Sequence, residues 1–157
     1  MTSFTHLSRK SYRRSIISGI LLLILLIIGL FFLLPFSHTK VIHIDNTELT
    51  RLMSEGVPLI DIRTTDEWKT TGVISGSRLI TFFDEQGQVD VAQWLALAKA
   101  IAAPNQPVIL ICRGGGRSQE AAKFLLETAG YETVYSVKHG LMGWLEEHRP
   151  VIPAEKR

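Results

Sequence analysis

The sequence is poor in cysteine. Cys112 is the only one among 157 residues, which excludes an internal disulfide and any cysteine-rich metal site. Acidic residues are missing from one end: the first 36 positions hold no Asp or Glu. Arg9, Lys10, Arg13 and Arg14 carry the only charge there, leaving 13 basic against 15 acidic residues in the remainder, a net of −2. That remainder has no basic run, so it offers no surface for nucleic acid. It also has no internal repeat and no low-complexity tract, and its length suits one domain. His38, His43 and His148 are too scattered along the chain to suggest a metal site.

Residues 16–36 form an uncharged apolar run, broken only by Ser18, Gly19, Gly29 and Pro35. About 20 residues span a bilayer core as a helix. The run is too long for the apolar part of a cleaved signal peptide. Phe36-Ser37-His38-Thr39-Lys40 lacks a small-x-small cleavage site, and no cysteine follows that could carry a lipid. The expected organisation is a basic cytoplasmic N-terminus over 1–15, a transmembrane signal anchor over 16–36 and a tether over 37–40. A domain over 41–152 and a tail over 153–157 complete it. The lipid bilayer is therefore an expected partner through 16–36. The basic cluster predicts a cytoplasmic N-terminus and a single-pass protein with its domain on the other side. In a bacterium that means the inner membrane with the domain in the periplasm.

Within the domain, apolar β-branched runs alternate with helical patterns. Strands are expected at Val41–Ile44, Val57–Ile62, near Leu79, at Pro107–Ile111 and at Thr133–Val137. Helices are expected after Asp45, over Thr64–Lys69, over Val91–Ala102, over Gln119–Ala129 and around Leu141–Glu147. Such alternation predicts an α/β fold: a five-stranded, mostly parallel sheet with helices on both faces, preceded by one transmembrane helix. Trp94 and Trp144 are expected in the core.

The lone cysteine ends the fourth strand and opens Cys112-Arg113-Gly114-Gly115-Gly116-Arg117-Ser118. The order is strand, glycine loop, helix. Three glycines permit positive φ and inward-turned N–H groups. The following helix adds unpaired N–H groups and a positive dipole end. Ser118 is a good N-cap residue and Glu120 suits a first turn. Arg113 and Arg117 add fixed charge. The result is an anion cradle with a thiol at its floor, and such surroundings favour the thiolate, the nucleophilic form.

This stretch resembles the active-site loop of rhodanese-like sulfurtransferases, Cys-Arg-x-Gly-x-Arg-Ser. The resemblance implies that Cys112 takes up a sulfane sulfur as a persulfide and passes it on. Arg113, Gly114, Gly115, Gly116, Arg117 and Ser118 would form the substrate-binding loop. Four residues separate Cys112 from Arg117; thiolate phosphatases have one more, which argues against a phosphatase or arsenate reductase. Asp61, Arg63, Glu67 and Gly72 also match the family, where the Asp, Arg and Glu mostly form an ion-pair network beside the loop, with direct catalysis as the alternative. Val73 and Ser77 depart from its usual His and Ala. Val137 to Trp144 resembles a closing motif, with His139 in place of a glycine. His139 is either an exposed turn residue or, near the active-site rim, a group that binds substrate or shuttles a proton.

The implied activity is a membrane-anchored transfer of sulfane sulfur from a donor such as thiosulfate to a thiol or cyanide acceptor. It calls for no metal and no organic cofactor. The alternative is a binding or redox-sensing module of the same fold that does not turn over.

Overall fold

The computed structural model describes residues 40–154, together with Ile20, residues 22–26 and Gly29. The chain divides into two units, Met1–His38 and Thr39–Arg157; the fold below is that of the second. The expected segment 1–15, most of 16–36, positions 37–39 of the tether and 155–157 of the tail lie outside the described residues. Within 16–36, Ile20, residues 22–26 and Gly29 are helical, and all are exposed. Among the described residues no helix is long and apolar enough to cross a membrane.

Five strands form one sheet: β1 (Ile42–Ile44), β2 (Leu59–Asp61), β3 (Arg78–Leu79), β4 (Val108–Ile111) and β5 (Val134–Val137). Their order is β1-β5-β4-β2-β3, and every pairing is parallel. Among the described residues one antiparallel bridge outside the sheet joins Val73 to Ile152. In the centre Ile60 stands beside Leu110, and Leu110 beside Ser136. All four β4 residues are fully buried. This explains the unbroken apolar run, since a parallel strand covered on both faces does not alternate. Each such side chain contributes roughly 1.5–3 kcal/mol by leaving water.

The helices are α1 (Asn46–Ser54), α2 (Thr65–Thr71), α3 (Val91–Ile101), α4 (Gly116–Glu127) and α5 (Gly140–Glu146). Local signals set where the first three start. The Asp45 carboxylate accepts from the Glu48 N–H at 2.9 Å, and the Asp90 carboxylate from the Gln93 N–H at 3.0 Å. Thr64 and Glu67 form a reciprocal capping box at α2. One face of the sheet packs Ile60, Val108, Leu110, Cys112 and Val134 under α3 and α4, through Trp94, Ala98, Ala121, Ala122 and Leu125. The other packs Leu59, Ile109, Ile111 and Val137 under α1 and α5, through Leu49, Leu52, Leu141 and Trp144. Trp94 and Trp144 are both buried.

β2 is shorter than the apolar run around it. Pro58 has no N–H to give the ladder, although its carbonyl still accepts from Ile109. The order of strands positions the site. The connection after β2 leads to β3 on one side, and that after β4 leads to β5 on the other. The carboxyl ends of adjacent β2 and β4 are therefore a topological switch point, where open α/β sheets bind ligands. Cys112 follows β4 there, and Arg63 lies two residues beyond β2.

Candidate active site

Cys112 is buried, 1% exposed, at the floor of its loop. The Gly115 N–H donates to its Sγ at 3.1 Å. Of the three consecutive glycines only Gly115 has positive φ, +96°. A Cβ there would overlap the Lys138 carbonyl oxygen at the end of β5, whereas one at Gly114 or Gly116 would meet nothing within 4 Å. The requirement for glycine thus falls on one position, not on all three.

The left-handed Gly115 also starts the helix earlier than expected. α4 begins at Gly116, with Gly115 as its N-cap and no side-chain capping bond. Ser118 is therefore not a cap, and Glu120 is not in the first turn. Ser118 instead sits buried inside that turn, its hydroxyl donating to the Gly115 carbonyl at 3.0 Å and lying 2.9 Å from the Ser136 hydroxyl. The first-turn amides of α4 have no intrahelical acceptor, so they remain available to an anion above Cys112.

A second helix start holds the loop from outside. Leu141 N–H donates to the Cys112 carbonyl at 2.8 Å, and Met142 N–H to the Arg113 carbonyl at 3.0 Å. A trans peptide points its N–H opposite its carbonyl, so the Arg113 and Gly114 amides face away from α5. Gly140, at φ +54°, lies so close that a Cβ would overlap the carbonyl oxygens of Cys112 and Arg113.

The expected ion-pair network separates into two units. Asp61 and Arg63 are each 1% exposed and meet in a bidentate pair, Nε to Oδ1 at 2.9 Å and Nη2 to Oδ2 at 2.7 Å. Thr71 Oγ1, the Gly72 carbonyl and the Glu67 carbonyl take the remaining Arg63 donors, at 2.7, 2.8 and 3.4 Å. That pair ties β2 to the end of α2. The other unit is Arg117 with Glu67, Nη2 to Oε1 at 2.6 Å and to Oε2 at 2.9 Å. Burial opposes ionisation of Glu67. The hydrogen bonds from Arg117 and the Thr64 amide and the charges of Arg117 and Arg63 outweigh it, holding the carboxyl below its usual range. Glu67 likewise raises the Arg117 pKa against the cost of burial, with the neighbouring Cys112 sulfur adding to it.

A cleft of about 310 Å³ opens beside the loop, with Thr64, Asp66 and Thr70 on its α2 side and Arg113, Leu141 and Met142 on the other. The Arg113 side chain is exposed there. His139 is exposed in the turn before α5, with no capping bond, its Cβ packed against Gly143; it is not among the cleft-lining residues. The structure thus brings Arg113, Gly115, Arg117 and Ser118 around Cys112, and His139 directly precedes Gly140, which packs on the Cys112 and Arg113 carbonyls. Gly114 and Gly116 complete the loop as exposed backbone. Among the described residues no three His, Cys, Asp or Glu side chains gather where a metal could bind. Sequence reasoning missed Ser136 and Thr71. A hydroxyl in the otherwise apolar strand Val-Tyr-Ser-Val was the available signal for Ser136. Thr71, at the end of a helix, gave none.

A thiol that accepts the Gly115 N–H, with one guanidinium beside the sulfur and a second at the cleft, can act as a nucleophile toward an anionic electrophile. The family described as "Rhodanese-like domain" matches residues 45–147. "Rhodanese-like domain-containing protein 17" of Arabidopsis thaliana is 30% identical over 118 residues, covering 73% of this chain and 75% of that protein. "Thiosulfate sulfurtransferase 18" of the same plant is 25% identical over 121 residues, covering 74% and 88%. Among solved structures, the 30 kDa polysulfide-sulfur transferase homodimer of Wolinella succinogenes is similar with a TM-score of 0.57 and 26% identity. The match covers 74% of this chain and 82% of that one.

Proposed function

The chain belongs to the rhodanese-like domain family, and from that premise we propose that it is a membrane-anchored sulfurtransferase working through a Cys112 persulfide. The observation that carries the reading is the Gly115 N–H on Cys112 Sγ, at the floor of a loop backed by a helix start. The names of the Arabidopsis and Wolinella relatives support the reaction class. In the first step the Cys112 thiolate attacks the outer sulfur of thiosulfate. The S–S bond of the donor breaks, and sulfite leaves with its electron pair. The negative charge on the new terminal sulfur is stabilised by the loop and first-turn amides. A thiolate or cyanide then attacks that sulfur, takes it away and returns the Cys112 thiolate. No proton has to move when both nucleophiles arrive ionised. Arg113 draws the donor dianion to the cleft, and Arg117, held by Glu67, keeps positive charge beside the sulfur.

The apolar run 16–36 would hold this domain at a membrane, with the basic cluster before it on the cytoplasmic side. A reporter active only outside the cytoplasm, fused after Arg157, should then give signal; signal only from a cytoplasmic reporter would reverse the orientation. The chemistry is tested by intact mass. Purified full-length protein incubated with thiosulfate should gain one sulfur, the Cys112→Ser variant none, and cyanide should remove it. A wild-type protein that gains no sulfur would leave the binding or redox-sensing reading in place.

A further inference from the structure

We infer that Ser136, in the middle of β5, is a positioning residue for the Cys112 cradle. Ser136 is fully buried and stands beside Leu110 of β4 and His43 of β1. Alternation along β5 puts it on the same face as Val134, the apolar face covered by α3 and α4. A hydroxyl in such a place is unfavourable unless it is hydrogen-bonded. Its partner is Ser118 Oγ, 2.9 Å away. Ser118 has one hydroxyl proton and gives it to the Gly115 carbonyl at 3.0 Å. The proton between the two serines therefore belongs to Ser136. The chain of donors runs from the sheet to the helix to the loop, Ser136 to Ser118 to Gly115, and Gly115 is the residue whose N–H reaches Cys112 Sγ.

The same stretch of backbone acts on Gly115 a second time. Lys138, two residues after Ser136, presents the carbonyl that leaves no room for a Cβ at Gly115. Residues 136–138 thus grip Gly115 through a hydroxyl relay and through a close backbone contact. Packing alone would be served by Ala or Val at position 136, so the hydroxyl is explained by what it holds. Hydrogen bonds weaken steeply as distance and angle drift. Loosening this relay would let the Gly115 amide move away from the sulfur it stabilises.

The test uses the full-length chain with Ser136→Val and Ser136→Thr, which match in shape and differ by the hydroxyl. Three quantities are read: the pH dependence of Cys112 alkylation by iodoacetamide, sulfur loading from thiosulfate, and thermal unfolding. Only the loading arm rests on the sulfurtransferase reading. The Thr variant should stay close to wild type. The Val variant should show an alkylation profile displaced to higher pH and loading slowed about five- to tenfold, the equivalent of one hydrogen bond. If the Val variant fails to fold, Ser136→Ala takes its place under the same criterion. A hydroxyl-free variant that loses stability while its alkylation profile and loading match the Thr variant would overturn the inference. So would Thr and Val variants that lose reactivity alike, because shape rather than the hydroxyl would then matter. A wild type that takes up no sulfur would refute the sulfurtransferase reading, yet the alkylation profiles would still decide the role of Ser136.

Discussion

Alanine placed at each of the three loop glycines should give three different results. At Gly115 the backbone has φ +96°, where a residue with a Cβ costs roughly 1–2 kcal/mol. The new methyl would also overlap the Lys138 carbonyl oxygen and lie 2.8 Å from its carbon and 3.2 Å from the Val137 oxygen. These are backbone atoms and cannot rotate aside. Relief means displacing the turn between β5 and α5, whose amides hold the Cys112 and Arg113 carbonyls. The expected loss for Gly115→Ala is about 3–5 kcal/mol, the range of the largest single-site effects, against a domain stability of roughly 5–15 kcal/mol. Gly114→Ala meets open space and should stay within about 0.5 kcal/mol of wild type. Gly116→Ala sits at the first residue of α4 and should stabilise by about 0.5–1 kcal/mol through helix propensity and a less flexible unfolded chain. Thermal unfolding reads this directly, at roughly 3–6 °C per kcal/mol for a domain of this size, and iodoacetamide reports whether Cys112 still reacts. The reasoning fails if Gly115→Ala melts with wild type and reacts normally while Gly114→Ala or Gly116→Ala unfolds.

Arg113 and Arg117 should also separate. Arg113→Ala should raise the Michaelis constant for thiosulfate, more at low salt than at high, with unfolding unchanged, whereas Arg117→Ala should lose about 1–2 kcal/mol and slow loading because Glu67 is left half-buried without its partner. The opposite pattern would reverse the two roles. Asp61→Ala leaves the Arg63 guanidinium buried without its carboxylate, and denaturant unfolding should show a loss of about 3–5 kcal/mol; a loss below about 1 kcal/mol would deny the pair its structural role. The Glu67 carboxyl is held below its usual value in the fold, so its stabilisation is complete above the unfolded pKa, about 4.3, and disappears as pH falls through the folded value. The stability gap between wild type and Glu67→Gln should therefore narrow from about pH 6 to about pH 3, and a constant gap would contradict the pairing.

What the amino-acid sequence determined by itself is what acts over short stretches of chain. The apolar run before Cys112 requires a strand covered on both faces, and β4 is one. Asp45 before Glu48, and Thr64 before Glu67, fix the starts of α1 and α2, because a cap and its amide partner lie three residues apart. The cysteine, the glycines and the arginines were legible as one loop between a strand and a helix for the same reason: strand, loop and helix start are contiguous. The tertiary structure decided the rest. Ser118 has the chemistry of a cap, yet it became an interior helical residue because the left-handed Gly115 had already started the helix and the Ser136 hydroxyl met it from β5. Which glycine is indispensable depends on the Lys138 carbonyl. Which carboxylate holds Arg117 depends on Glu67, 50 residues away in sequence. No local propensity encodes these choices, because each is a contact between elements that meet only when the order β1-β5-β4-β2-β3 sets β4 between β5 and β2. Close packing there leaves room for one side chain and not another, and a buried polar group must bond to whatever that order places beside it.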